Sequence, residues 1–335
     1  MRAAPLHFPF PVLVADIGGT NARFGFKADA AGTLDIAARL KTHDFPGLGA
    51  AINSIADKLP ARPRSVIACG AGPVDGRRLK LTNAPWLMDG PLVAREAGLE
   101  QGLLLNDFEA LALALPAIPP EWTRSIGRLG AGKGPRLILG PGTGLGIGAL
   151  LEMDGRYVPI SSEACHIGYG PGDAEEERLW PHLERVLGRV TTESVMSGSG
   201  LARLNQARRR AMGIAPDGAD AAAVTTRAVA DAASFEAETV CLYWRVIARF
   251  AGDMAIVFTA TGGVTLAGGI LPRITALLDE AEFRRCFEAK APVDGLAKRC
   301  ATRLITEADA VLAGMAAIAA MPGRYAIDYA ARAWK

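Results

Sequence analysis

Val12-Leu13-Val14-Ala15-Asp16-Ile17-Gly18-Gly19-Thr20-Asn21-Ala22-Arg23-Phe24 decides the fold of this chain. An apolar run of strand length feeds a turn of glycine and threonine, and strand-like residues resume at once beyond it. A second stretch, Leu137-Ile138-Leu139-Gly140-Pro141-Gly142-Thr143-Gly144-Leu145-Gly146-Ile147-Gly148, repeats the arrangement. Aligning Asp16 with Gly140 brings Gly18 opposite Gly142. Each turn reads as a hairpin. No lysine follows in P-loop order, and neither turn opens a βαβ dinucleotide unit. Backbone N–H groups in such a turn make a concave anion site, threonine adds a hydroxyl, and glycine lets phosphate come close. Taken singly, each such turn is more simply an ordinary tight hairpin. Two matched turns suggest two halves gripping one polyanion.

Outward from these turns, 335 residues suit two domains, each with its own core. Half the residues are hydrophobic, and 38 Gly with 21 Pro fit an α/β protein with many tight turns. A net charge of +2 points to no polyanionic partner. The one notable basic run, Arg208-Arg209-Arg210, reads as a solvated face, so no nucleic-acid partner is expected. Five widely spaced cysteines form no C-x-x-C pair, which argues against a zinc site made of cysteines and fits reduced thiols in the cytoplasm. The N-terminus, Met1 to Pro11, has one basic residue and three prolines and does not read as a signal peptide. Met254 to Pro272 carries no charge, but Gly262-Gly263 and Gly268-Gly269 break it into helix end, turn, strand and turn, so no membrane span is expected.

Strands are expected near 13–15, 24–26, 65–70, 102–105, 136–139 and 264–267, and helices near 109–115, 231–258 and 308–321. A further helix is expected after the turn at Gly268-Gly269. In the long helix, Val240, Tyr243, Trp244, Ile247, Phe250, Ala251, Met254 and Phe258 recur at spacings of three and four, a core-facing stripe. The tail from Pro322 reads as peripheral. Ligands of open α/β sheets lie beyond the carboxyl ends of strands, where Asp16, Gly70 and Asn106-Asp107 all fall.

Asp16 beside a phosphate site would repel the ligand unless Mg²⁺ intervened, so it reads as a metal-side carboxylate acting through water, or else as a turn-capping aspartate. Asn106-Asp107 reads as a pair that grips vicinal hydroxyls, with the carboxylate taking a proton as phosphate arrives, or as an ordinary helix N-cap. Glu163 and His166, three apart on a turn, are placed to share one ligand. Glu193 alone carries little signal and fits a glutamate at a helix N-terminus.

Taken in order, Asp16-Ile17-Gly18-Gly19-Thr20-Asn21-Ala22-Arg23, Leu105-Asn106-Asp107-Phe108, Gly140 to Gly146, Glu163-x-x-His166, Glu193 and Ala267-Gly268-Gly269-Ile270-Leu271-Pro272-Arg273 resemble the bacterial ATP-dependent glucokinases of the actin, hexokinase and acetate kinase superfamily. The likeness runs from about residue 12 to 320. It implies a two-lobed α/β fold, actin-like and ribonuclease H-like, with the ligands between a small lobe (1–116 plus 306–335) and a large lobe (117–305). It implies transfer of phosphate from ATP to the glucose 6-hydroxyl, with Asp107 as general base. Asn106, Glu163, His166 and Glu193 would hold the other hydroxyls, and Asn83 would lie near the sugar. Asp16, Gly18, Gly19, Thr20 and Asn21, with Gly142, Thr143 and Gly144, would embrace the phosphates. Gly268 and Gly269 would lie near the adenosine. It also implies a cytoplasmic homodimer.

Where the family carries two glycines between glutamate and histidine, this chain has Ala164-Cys165. A positive φ at either position would strain the turn. The substitution also sets a thiol beside the sugar site, where glucose is expected to protect it from thiol reagents. The rival readings are a kinase for mannose, fructose or an amino sugar, an acyl phosphotransferase, and a non-catalytic sugar-sensing regulator. Asp107 and the hydroxyl-binding set argue for the kinase.

Overall fold

The computed structural model describes residues 7–127 and 132–334, so the first six residues of the N-terminal stretch lie outside it. The chain divides into two compact units. One takes the chain up to Pro119, Leu150–Ile160 and Glu307 onward; the other takes Pro120–Ala149 and Ser161–Thr306.

In the first unit, β1 (Val12–Ile17) has Val12 to Ala15 wholly shielded from solvent, as an unbroken apolar run between two covered faces should be. The Gly18 N–H donates to the Asn21 carbonyl at 2.9 Å and closes the turn into β2 (Asn21–Lys27), which returns antiparallel. β3 (Asp35–Lys41) follows on its far side. β4 (Ser65–Gly70) and β5 (Gln101–Asn106) add in parallel, giving the order β3-β2-β1-β4-β5. The register sets Asp16 beside Cys69 and Gly70 beside Asn106, so the carboxyl ends of β1, β4 and β5 lie in one row. Helix Asp107–Ala114 starts directly after β5, and helix Ala310–Ala320 packs on it with Gly314 against Ala114.

Part of the tail is core: Tyr325, Ile327, Ala333 and Trp334 are buried, while Gly323, Arg324 and Asp328 are exposed. Trp334 is 1% exposed and fills a slot left open by Gly90 and Gly102, while the backbones of Trp334 and Gly102 exchange hydrogen bonds of 3.1 and 3.2 Å. Arg332 pairs with Glu109 at 2.6 Å. Two glycines more than 200 residues upstream make the room, which is why the tail's own composition did not announce it.

A second sheet is built from β6 (Thr123–Ile126), β7 (Arg136–Pro141), β8 (Leu145–Met153), β9 (Arg156–Ser162), β10 (Val264–Leu266) and β11 (Thr302–Ile305). Their order is β9-β8-β7-β10-β11-β6. Apart from β6, this repeats the first sheet strand for strand. β7, β10 and β11 run parallel. The three-residue link between β7 and β8 forces an antiparallel return, since a parallel crossover needs about a dozen residues or more. The long helix starts at Phe235, later than expected, because Ser234 caps it through the Ala237 N–H. Its apolar stripe from Val240 to Met254 is buried. Beyond β10 the expected helix is a 3-10 segment, Leu271–Leu277, with Pro272 in its first turn and no side-chain cap. Among the described residues no helix is long and apolar enough to cross a membrane.

Candidate active site

The row of strand ends in the first unit collects Asp16, Cys69, Asn106 and Asp107, with Arg23 beside them on β2. Asp16 closes β1, and Arg23, its cross-strand partner on β2, grips it in an ion pair with Nε 3.1 Å from Oδ2. The Cys69 thiol faces the other oxygen, Oδ1, at 3.5 Å. Asn106 caps the helix after β5: its Oδ1 accepts the N–H groups of Phe108 (3.0 Å) and Glu109 (3.3 Å), and its Nδ2 donates to the Gly72 carbonyl at 3.0 Å. Asp107 occupies the first helical position and accepts the Phe108 N–H at 2.9 Å. Burial raises the Asp107 carboxyl to about 6; the Phe108 N–H works against this and the Asp16 charge adds to it. Both meanings of the Asn106-Asp107 pair therefore coexist, a helix cap and a carboxylate poised near neutrality.

In both glycine turns the N–H of the first glycine closes the turn, across three residues in the first and two in the second. In the first, the Gly18 N–H is used in closing the turn, and among the described residues the amides of Gly19 and Thr20 have no acceptor. The Thr42 hydroxyl donates to the Gly18 carbonyl at 2.7 Å, and Lys41 donates to Asn21 Oδ1 at 2.8 Å. A Cβ on Gly19 would lie 2.7 Å from the Asn83 carbonyl oxygen, so that glycine lets the exposed Asn83 loop sit against the turn. In the second turn, the Gly142 N–H donates to Gly144 at 2.8 Å, and the amides of Thr143 and Gly144 are the ones left without an acceptor among the described residues. A Cβ on Gly142 would touch nothing within 4 Å. Gly268, at φ +93°, packs against the Pro141 backbone at the base of this turn, and Gly269 faces open space.

The remaining expected residues lie together in the second unit. Glu163 and His166 flank a 3-10 turn, Ala164–His166, with side chains 88% and 58% exposed and His166 Nε2 3.7 Å from Glu163 Oε2. Neither Ala164 nor Cys165 takes a positive φ, so the feared strain is absent. The turn is tied down by the Thr192 hydroxyl, which contacts the carbonyls of Ala164 (2.9 Å) and Cys165 (2.6 Å). Glu193, in the first turn of helix Thr192–Met196, accepts the Leu145 N–H at 3.0 Å and so supports the second glycine turn. Cys165 is buried, and that burial, with the charges of Glu163 and Glu193, pushes its thiol up to about 12. Burial and the raised thiol both count against ready alkylation of Cys165.

The glucokinase family model matches residues 13–322. The chain belongs to the glucokinase family. A glucokinase of Rhizobium etli is 39% identical over 334 residues, covering 99% of this chain and 97% of the relative. One of Sinorhizobium medicae is 40% identical over 338 aligned residues, covering 100% and 99%. Among solved structures, a glucokinase from an Antarctic psychrotroph superposes with a TM-score of 0.82 at 29% identity, covering 92% of this chain and 98% of the other. One from Balamuthia mandrillaris, crystallised with glucose, gives 0.75 at 19% identity over 92% and 93%.

As a glucokinase family member the chain is an ATP-dependent sugar kinase with the α/β fold of the actin-like ATPases. Sequence reading missed three groups around its glycine turn. Arg23 neutralises Asp16 and also reaches Asp309 at 3.7 Å; Lys41 brings a cation to Asn21; Cys69 backs Asp16. Arg23 was legible as the last residue of its motif, and its register with Asp16 follows once the turn is read as a hairpin. Lys41 needed the β2–β3 pairing, which sets it opposite Asn21.

Proposed function

We propose that this kinase phosphorylates glucose at the 6-hydroxyl with Asp107 as general base. One observation carries the reading: Asp107 stands at a helix N-terminus, in a setting that raises its carboxyl to about 6, beside the Asp16 strand end. A base poised close to the working pH is what proton removal from an alcohol calls for. The 6-oxygen attacks the γ-phosphorus, its proton passes to Asp107, and the bond to the β-phosphate oxygen breaks to release ADP. Asn106, Glu163, His166, Glu193 and Asn83 are assigned to the sugar. Asn106 retains one amide N–H after its two structural duties, enough for one hydroxyl. The unaccepted amides of Gly19, Thr20, Thr143 and Gly144 are assigned to phosphate oxygens, with Gly268 and Gly269 towards the nucleoside.

The donor set suits Mg²⁺. Arg23 occupies Asp16 Oδ2, while Oδ1 meets only a weak thiol donor and is available to a metal-bound water. Bound there, Mg²⁺ would neutralise charge on the β- and γ-phosphates. On the family resemblance we also assign a cytoplasmic homodimer, which light scattering of the purified chain would check.

A coupled ADP-release assay over glucose, mannose, fructose, glucosamine and N-acetylglucosamine tests the proposal. Strong preference for glucose is expected. Preference for another hexose overturns the specificity and keeps the chemistry; turnover of none overturns both.

A further inference from the structure

The turn from Glu163 to His166 brings three metal-binding atoms together. Among the described residues, Glu163, Cys165 and His166 form the one group of three or more such side chains whose ligand atoms all lie within 4.8 Å of each other. Glu163 Oε2 is 3.7 Å from the Cys165 sulfur and 3.7 Å from His166 Nε2. Metal–ligand bonds of about 2.0–2.3 Å set tetrahedral ligand atoms about 3.5 Å apart, so the two separations from Glu163 need only tenths of an ångström of closure, and the Cys165–His166 pair lies within 4.8 Å. The backbone is already fixed: the His166 N–H donates to the Glu163 carbonyl at 2.9 Å, Thr192 holds the two carbonyls between them, and Arg189 donates to the His166 carbonyl at 3.1 Å. The sulfur lies buried beneath two exposed side chains, so a cation arriving over Glu163 and His166 meets it as the floor of the site.

We infer that Glu163, Cys165 and His166 form a binding site for a soft divalent cation of the Zn²⁺ class, with a fourth position open to water. A mixed carboxylate, thiolate and imidazole set favours such an ion over Mg²⁺, which takes oxygen ligands. On binding, the thiol gives up its proton to water and sulfur bonds the metal as thiolate. Resting on the proposed sugar role of Glu163 and His166, the metal excludes the sugar, and Zn²⁺ inhibits competitively with glucose.

The full chain, stripped with a chelator, is titrated with Zn²⁺ against a chromophoric chelator and with Co²⁺ for the thiolate-to-cobalt absorption band. Cys165→Ser and His166→Gln are compared, with folding checked by circular dichroism. One more equivalent of Zn²⁺ on the wild type than on Cys165→Ser, a cobalt band lost in that variant, and affinity lowered at least about tenfold in His166→Gln are expected. Equal affinity in all three chains overturns the site and leaves the metal to Cys241 or to Cys286 beside Glu282. The glucose KM of metal-free His166→Gln is measured separately. If it is unchanged, the sugar role of the turn falls, and Zn²⁺ binding that depends on Cys165 still upholds the metal site.

Discussion

Asp107 concentrates the physics of the site in one residue. Its carboxyl is raised, so ionising it costs more in the folded chain than in the unfolded one. The resulting instability is absent below the unfolded value, near 4, grows as pH rises towards about 6, and is complete above it. Asp107→Asn keeps an acceptor for the Phe108 N–H and removes the charge. It should be more stable at pH 8 by about 2–3 kcal/mol, with the gain gone at pH 4, as thermal unfolding at both pH values would show. The same variant should lose about a hundredfold or more in kcat while glucose KM stays within a few fold. Near-normal turnover would remove Asp107 from the role of base. In the wild type kcat/KM should fall tenfold per pH unit below about 6, as Asp107 takes up a proton before substrate binds.

At the scale of an element, the glycine turns separate folding from ligand contact. Gly142→Ala meets no protein atom, so its unfolding temperature should be unchanged while its KM for ATP rises. Gly144→Ala places a Cβ 2.5 Å from a Glu193 carboxylate oxygen and should harm both. A normal KM for ATP in Gly142→Ala would take the second turn out of phosphate binding. The tail offers a contrasting case. Trp334→Ala empties the slot between Gly90 and Gly102 and should lower stability by about 3–5 kcal/mol, read by chemical denaturation. A loss under about 1 kcal/mol would return the tail to the periphery.

For the whole molecule, two sheets with one strand order explain why two distant stretches of sequence look alike: each is a hairpin at the same place in its sheet. That much was legible, because an apolar run ending in glycines carries its own fold signal. The motif order also disclosed the family, since each motif is local. Other features depended on residues far apart in the chain. The β2–β3 register delivered Lys41 to Asn21, the parallel pairing of β1 with β4 set Cys69 behind Asp16, and glycines at 90 and 102 made room for Trp334. By itself the sequence determined the strands, the turns and the chemical character of the site, because these depend on neighbours a few residues away. Tertiary structure alone decided the burial that raises the Asp107 carboxyl and the wiring of Asp16, because burial and charge act through space and are indifferent to order along the chain.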